Sequence, residues 1–204
     1  SGCGKSTLGR SILRLIEPTS GQVLFDGQSL QALAPQQMAA MRSRLQIIFQ
    51  DPYASLNPRK SIREIVSLPL QLHGGCMPDE IAERVQAILK RVGFRPDQLD
   101  LYPHQFSGGQ RQRIGIARAL VSRPDLVVCD EPVSALDVSI KAQILELLGE
   151  LKAEFNLTYL FVSHDLNVVR LLCDRVIVMR SGRIVEQGSS EQVLGNPQDA
   201  YTKE

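Results

Sequence analysis

A chain of 204 residues that is 43% hydrophobic and 22% charged has the make-up of one ordinary globular unit with enough apolar side chains for a core, which excludes a disordered chain. Its 23 Lys and Arg against 22 Asp and Glu leave a net charge of +1, so there is no global basic field of the kind used by non-specific nucleic-acid binders, and any polyanion contact must be local. Apolar runs such as Leu157 to Val162 fall far short of the roughly 20 residues of a membrane span, and the first residues do not resemble a signal peptide, so a cytosolic protein is expected.

In chain order, Lys5 to Glu17 reads as a helix, with Leu8, Ile12, Leu15 and Ile16 at helical spacing and Pro18 closing it. "GQVLFDG" follows as a short strand pair with a turn at Asp26-Gly27. "LQIIFQ", residues 45 to 50, is the nearly continuous apolar run of a buried parallel strand and ends on Gln50. Strand signals then nearly vanish. Ile81, Val85, Ile88, Leu89 and Val92 mark an amphipathic helix and "GGQRQRIGIARAL" another, so residues 55–122 read as a helical insertion in an α/β chain. The alternation resumes with the strand "LVVCDE", a helix from Val138 to Lys152, the strand "LTYLFVSHD", a short helix, and "RVIVMRSGRIVEQG" with a hairpin signal at Ser181-Gly182. Strands alternating with helices predict a mainly parallel sheet with right-handed crossovers, with a small antiparallel β portion beside it.

Ligands of such sheets gather beyond the carboxyl ends of the strands. Those ends carry Gln50, Asp130-Glu131 and His164, and a further strand is expected to lead into the opening "SGCGKST". That opening matches the end of the phosphate-loop pattern G-x-x-x-x-G-K-[ST], whose first glycine would lie two residues before Ser1; the chain therefore reads as a piece of a longer protein, or as half of a tandem fusion. Gly2 and Gly4 let the backbone approach an anion closely, Lys5 offers a mobile charge to terminal phosphates, and Ser6 an oxygen to Mg²⁺. Asp130 and Glu131, adjacent on an extended backbone, are expected to point to opposite sides, one orienting the metal and its waters and the other polarising an attacking water. Gln50 and His164 gain weight only by position, the first as a sensor of metal and water, the second of the γ-phosphate.

"FSGGQRQR" sets Ser107, Gly108 and Gly109 ahead of a second helix fit for an anion, or alternatively supplies an ordinary Ser N-cap with glycines for close packing. Arg111, Arg113, Arg118 and Arg123 lie around that helix with no aromatics interleaved for base stacking, so a solvated or salt-bridged face is expected rather than a nucleic-acid stripe. The four cysteines form no C-x-x-C pair; Cys129 and Cys173 read as buried thiols, whereas Cys3, among the loop amides, is expected to react with thiol reagents and to be protected by nucleotide.

The ordered set "SGCGKST", "IIFQDP", "FSGGQRQR", "LVVCDEP", "VSALD" and "FVSHD" resembles the nucleotide-binding subunit of an ABC transporter over nearly the whole chain. "FQDPYASLNPR", "DEPVSALDVSI", "LTYLFVSHDLNVV" and "NPQDAYT" further resemble the branch that imports dipeptides, oligopeptides, nickel or glutathione, although Asp199-Ala200 stand where this branch shows His-Pro. The resemblance implies a P-loop NTPase fold in one domain, with residues 1–54 and 123–204 as α/β core and 55–122 as a helical subdomain. It implies ATP bound with Mg²⁺ by Gly2, Cys3, Gly4, Lys5, Ser6, Thr7, Gln50 and Asp130. Ser6, Gln50 and, through water, Asp130 would be the metal contacts, with Glu131 as general base and His164 as its catalytic switch. Ser107, Gly108, Gly109 and Gln110 would close on the ATP of an opposing subunit, with Asp137 communicating across the dimer. The implied partners are a second ABC ATPase subunit, identical or paralogous, two membrane permeases whose coupling helix meets the segment after Gln50, and a solute-binding protein indirectly. Nucleic acid is not expected, and the implied location is peripheral, on the cytoplasmic face of the membrane. Two other functions compete: a soluble ABC ATPase acting on nucleic acid or ribosomes, and a partner that binds ATP without hydrolysing it.

Overall fold

The computed structural model describes residues 2–73 and 75–203, so Ser1 of the opening "SGCGKST" lies outside the described residues. The elements run α1 (Lys5–Ile12), β1 (Leu24–Phe25), β2 (Gln28–Ser29), α2 (Pro35–Met41), β3 (Leu45–Ile48), α3 (Pro52–Ser55), α4 (Ile62–His73) and α5 (Pro78–Arg91). They continue with α6 (Gly108–Leu120), β4 (Leu126–Asp130), α7 (Val138–Phe155), β5 (Thr158–Val162), α8 (Leu166–Leu172), β6 (Arg175–Arg180), β7 (Arg183–Ser189), α9 (Ser190–Gly195) and α10 (Ala200–Lys203).

Strands β3, β4 and β5 form a parallel sheet in that order, with Leu45 opposite Leu126 and Leu126 opposite Thr158, so the carboxyl ends of all three strands face the same way. Central β4 is buried on both faces. Val127 and Cys129 enter the large core shared with α4, α5, α6 and α7, while Val128 enters a smaller one with Leu13, Leu30, Leu33, Met38 and Leu45. An apolar run without polar alternation is what two covered faces require. Two antiparallel hairpins flank the sheet. Their turns, Asp26-Gly27 and Ser181-Gly182, have positive φ at both residues, the turn geometry that matches strand twist.

The first helix departs from expectation. It ends at Ile12, and Arg14 takes a φ of 51°, so Leu15 and Ile16 leave the helix. They and Leu8 are exposed, whereas Leu13 is buried. The helix contacts the sheet through small Gly9: a Cβ there would stand 3.0 Å from Val128 Cγ1. Close approach by a glycine replaces the apolar stripe that the spacing predicts.

The arginines of α6 also differ from the expected solvated face. Arg111 is buried, its Nε donating to the Pro103 carbonyl at 2.7 Å and its guanidinium lying 3.9 Å from the Tyr53 ring centre. Arg113 donates to the Val92 carbonyl at 3.1 Å and Arg118 to that of Ser55 at 2.5 Å. Burial lowers the pKa of Arg118 from its ordinary value. Val92 follows α5 and Ser55 ends α3, so two of these acceptors are carbonyls that a helix end leaves free, and they take the donors in place of water or carboxylates. Only Arg123, just past the helix, is exposed.

Candidate nucleotide site

Gly4, at φ 92°, caps α1 from the left-handed region that glycine occupies without strain, and Gly2 has φ 84°. Lys5 opens the helix, its Nζ 3.4 Å from Cys3 Sγ, so the ammonium lies over its own loop. Ser6 donates its hydroxyl to Asp130 Oδ1 at 2.7 Å. Asp130 is 1% exposed, and its Oδ2 has no hydrogen-bond partner among the described residues, the nearest cation being Arg10 at 3.6 Å. A buried carboxylate oxygen without a donor, next to a hydroxyl at the start of a phosphate-loop helix, fits a hydrated divalent cation. Thr7 is exposed at the surface of the same helix.

Strand β4 ends at Asp130, and Glu131 turns to φ 47°, a conformation costing a non-glycine residue about 1–2 kcal/mol. The expected extended pair is therefore not what separates the carboxylates; the reversal at Glu131 is. Its N–H still donates to the Val162 carbonyl at 3.0 Å, while its side chain joins a second network. Glu131 Oε2 accepts from Gln50 Nε2 at 3.4 Å and lies 3.1 Å from His164 Nδ1. His164 is largely exposed and Glu131 mostly covered, with side-chain exposures of 62% and 16%. Glu131, Ser134, Lys141, Ser163 and His164 line a small recess beside the carboxylate. The structure thus brings Ser6 to Asp130 and, separately, Gln50 and His164 to Glu131.

Ser107 caps α6, accepting from the Gln110 amide at 3.3 Å, while Gln110 Oε1 accepts from the Ser107 amide at 2.9 Å. Gly109 allows close packing: a Cβ would stand 2.5 Å from Ile140 Cγ2 of α7, and one on Gly108 3.7 Å from Leu136. The cap and the packing are those of the ordinary reading, and they leave the exposed Ser107 side chain at an open helix end. Among the described residues no hydrogen bond joins Ser107–Gln110 to the loop at Gly2–Ser6. Asp137 precedes α7 and is exposed, its carbonyl accepting from the Lys141 amide at 2.8 Å.

Three residues escaped sequence reasoning. Arg10 reaches Asp130 from one helical turn beyond Ser6, a spacing of four that could have signalled a shared face. Ser134 accepts from Gln50 Nε2 at 3.2 Å and donates to the Glu131 carbonyl at 3.1 Å; the turn formed by Pro132 and Val133 hid it. The Gly182 amide donates to the Cys3 carbonyl at 3.1 Å, joining residues too distant in sequence for any local signal.

A glycine-cornered loop opening a helix, a buried aspartate at the end of β4 and a second carboxylate beyond it define a phosphate-binding α/β protein of the P-loop class. The profile of the ABC transporter family matches residues 1–134, and the chain belongs to that family. It is 52% identical over 204 residues to the oligopeptide transport ATP-binding protein AppF of Bacillus subtilis, and 54% over 203 residues to a putative peptide import ATP-binding protein of Brucella ovis. These alignments take in 100% of this chain and 62% and 64% of the relatives, so the chain spans somewhat under two thirds of their length. Among solved structures, cbiO1 from Clostridium perfringens, part of an ABC transporter complex, superposes with a TM-score of 0.84 at 34% identity, covering 96% of this chain and 76% of that one. A dimeric ATP-binding cassette in a post-hydrolysis state, bound to ADP and inorganic phosphate, gives 0.81 at 32% identity, covering 93% and 82%.

Proposed function

We propose that this chain is the ATP-binding and ATP-hydrolysing part of an ABC importer for di- or oligopeptides. The observation that carries the reading is the convergence, beyond the carboxyl ends of one parallel sheet, of the Gly2–Thr7 loop, the Ser6–Asp130 pair and the Gln50–Glu131–His164 cluster. The names of the relatives support peptide import.

In this reading the amides from Gly2 to Thr7 receive the phosphates at the positive end of α1, and Lys5 moves from Cys3 to their terminal oxygens. Ser6 and, through water, Asp130 would hold Mg²⁺, with Gln50 free to join them; the ion supplies charge neutralisation at the phosphate oxygens. Glu131 takes the proton of an attacking water, and His164 fixes that carboxylate by its bond to Oε2. The open helix end at Ser107–Gln110 serves the ATP of a second subunit, identical or paralogous, with Asp137 at the junction. Residues 55–122 form a helical subdomain against which two membrane permeases dock, the solute-binding protein acting through them. The location is peripheral; among the described residues no helix is long and apolar enough to cross a membrane.

Equilibrium titration with Mg-ATP tests the reading: the chain binds, and Lys5→Ala loses about tenfold or more, since one charge-assisted phosphate contact is removed. Equal affinity in the two proteins refutes the assignment of the loop. Copurification of the whole protein with two permeases supports importer coupling, whereas RNase-sensitive sedimentation with ribosomes refutes it.

A further inference from the structure

Gly2 and Gly4 give the backbone on either side of Cys3 left-handed φ values, where glycine has the widest conformational freedom. Such a segment does not fix its own peptide planes, yet an anion cradle needs them fixed, with amides turned inward and carbonyls outward. Among the described residues, the Cys3 carbonyl receives one main-chain donor, the N–H of Gly182 at 3.1 Å. The Cys3–Gly4 peptide bond is trans, and in a trans unit the C=O and the following N–H point in opposite directions. Holding the Cys3 carbonyl against the β6–β7 turn therefore aims the Gly4 N–H away from that turn. No protein acceptor among the described residues takes that N–H.

The turn is suited to deliver the donor. Ser181 and Gly182, with φ of 48° and 78°, form a tight connection closed by the Arg180–Arg183 pair. Its base is braced where the Arg180 guanidinium lies 4.8 Å from the centre of the Tyr201 ring. The Glu186 carboxylate accepts from the amides of Gln198 and Asp199 at 2.8 and 3.1 Å, holding the C-terminal segment on β7.

We propose that Gly182 is a positioning residue for the nucleotide: its amide, by holding the Cys3 carbonyl, orients the phosphate loop so that the Gly4 N–H faces the phosphates. This rests on the functional reading above. Gly182 touches no reacting atom, so it acts on affinity and leaves the chemical step to Glu131 and its partners.

Two substitutions separate the donor from the turn. Gly182→Asn keeps the N–H and tolerates positive φ, so Mg-ATP affinity should stay within about twofold of wild type. Gly182→Pro removes the N–H, and binding should weaken about 3- to 10-fold, the worth of one hydrogen bond. KM should rise while kcat holds. Because proline's own φ conflicts with 78°, the wild type supplies a second readout. Exchange of the Gly182 amide hydrogen should slow when Mg-ATP saturates the protein, since coupling between the two contacts is reciprocal. A Gly182→Pro protein that melts normally and binds with wild-type affinity overturns the proposal, as does unchanged Gly182 exchange when the loop amides themselves become protected. A wild-type chain that binds no ATP overturns the functional reading and this proposal with it. Wild-type binding that Lys5→Ala abolishes upholds that reading whatever Gly182 does.

Discussion

Glu131 combines an unfavourable φ with two side-chain partners on a single carboxylate oxygen, an arrangement that holds a group in place for a task beyond stability. Glu131→Gln should keep Mg-ATP binding within about threefold and lower turnover by 100-fold or more, the span typical of general-base removal; phosphate release by the purified variant checks this, and unchanged hydrolysis removes Glu131 from that role. The thiols give a second prediction at this scale. Cys129 is buried as expected, whereas Cys173 is only half-buried; burial raises the pKa of both, so little thiolate exists at neutral pH and the fraction grows only as pH rises. Mass mapping after thiol alkylation at pH 7.5 should find Cys3 modified and shielded by ATP, with Cys129 modified only on unfolding. Of the candidate site, the residues that the structure brings together, Ser6 with Asp130 and Gln50 and His164 with Glu131, were legible because their types stand at strand ends or in the glycine loop. Ser134 and Arg10 were not, since each acts through a bond to another residue and carries no pattern of its own.

Among the elements, the contact of α6 with α7 is the tightest that a glycine makes. Gly109→Ala places a methyl carbon 2.5 Å from Ile140 Cγ2, and overpacking of about 1–3 kcal/mol outweighs the smaller gain in helix propensity. The urea midpoint should fall by the equivalent of about 1–2 kcal/mol, and Ile140→Ala in the same chain should recover part of it because the opposing atom is gone. Additive losses would place the strain elsewhere. The strands, α7 and both turns were legible from apolar runs and turn residues. Helix α4 was not singled out: Pro69 lies inside it, and the sequence signal of a helix breaker outweighs a pattern that burial of Ile62, Ile65, Val66 and Leu70 enforces. The length of α1 was misread because periodicity continues past Ile12 while the backbone reverses at Arg14. The α6 arginines were misread because charge suggests solvent, and nothing local tells of the carbonyls that receive them.

Across the whole molecule, α5 meets α7 through Arg91, which donates to Glu154 at 2.6 Å and Glu150 at 3.0 Å. The pairing raises the Arg91 pKa, Glu154 being the stronger partner. Arg91→Ala should cost no more than about 1 kcal/mol, because partly exposed pairs are screened, and the difference from wild type in urea unfolding should shrink in 1 M salt. Equal stability at low salt would assign the two bonds no role. A wider consequence belongs to the buried arginines. Arg111 grips the Pro103 carbonyl and lies over the Tyr53 ring, and Arg118 grips the Ser55 carbonyl, so α6 is stitched to α3 and to the turn at Pro103. A shift of exposed Tyr53 would therefore press on Arg111, which stands one helical turn from Ser107 at the start of α6. The single-turn helix α3 is thereby geared to the helix end presented to solvent.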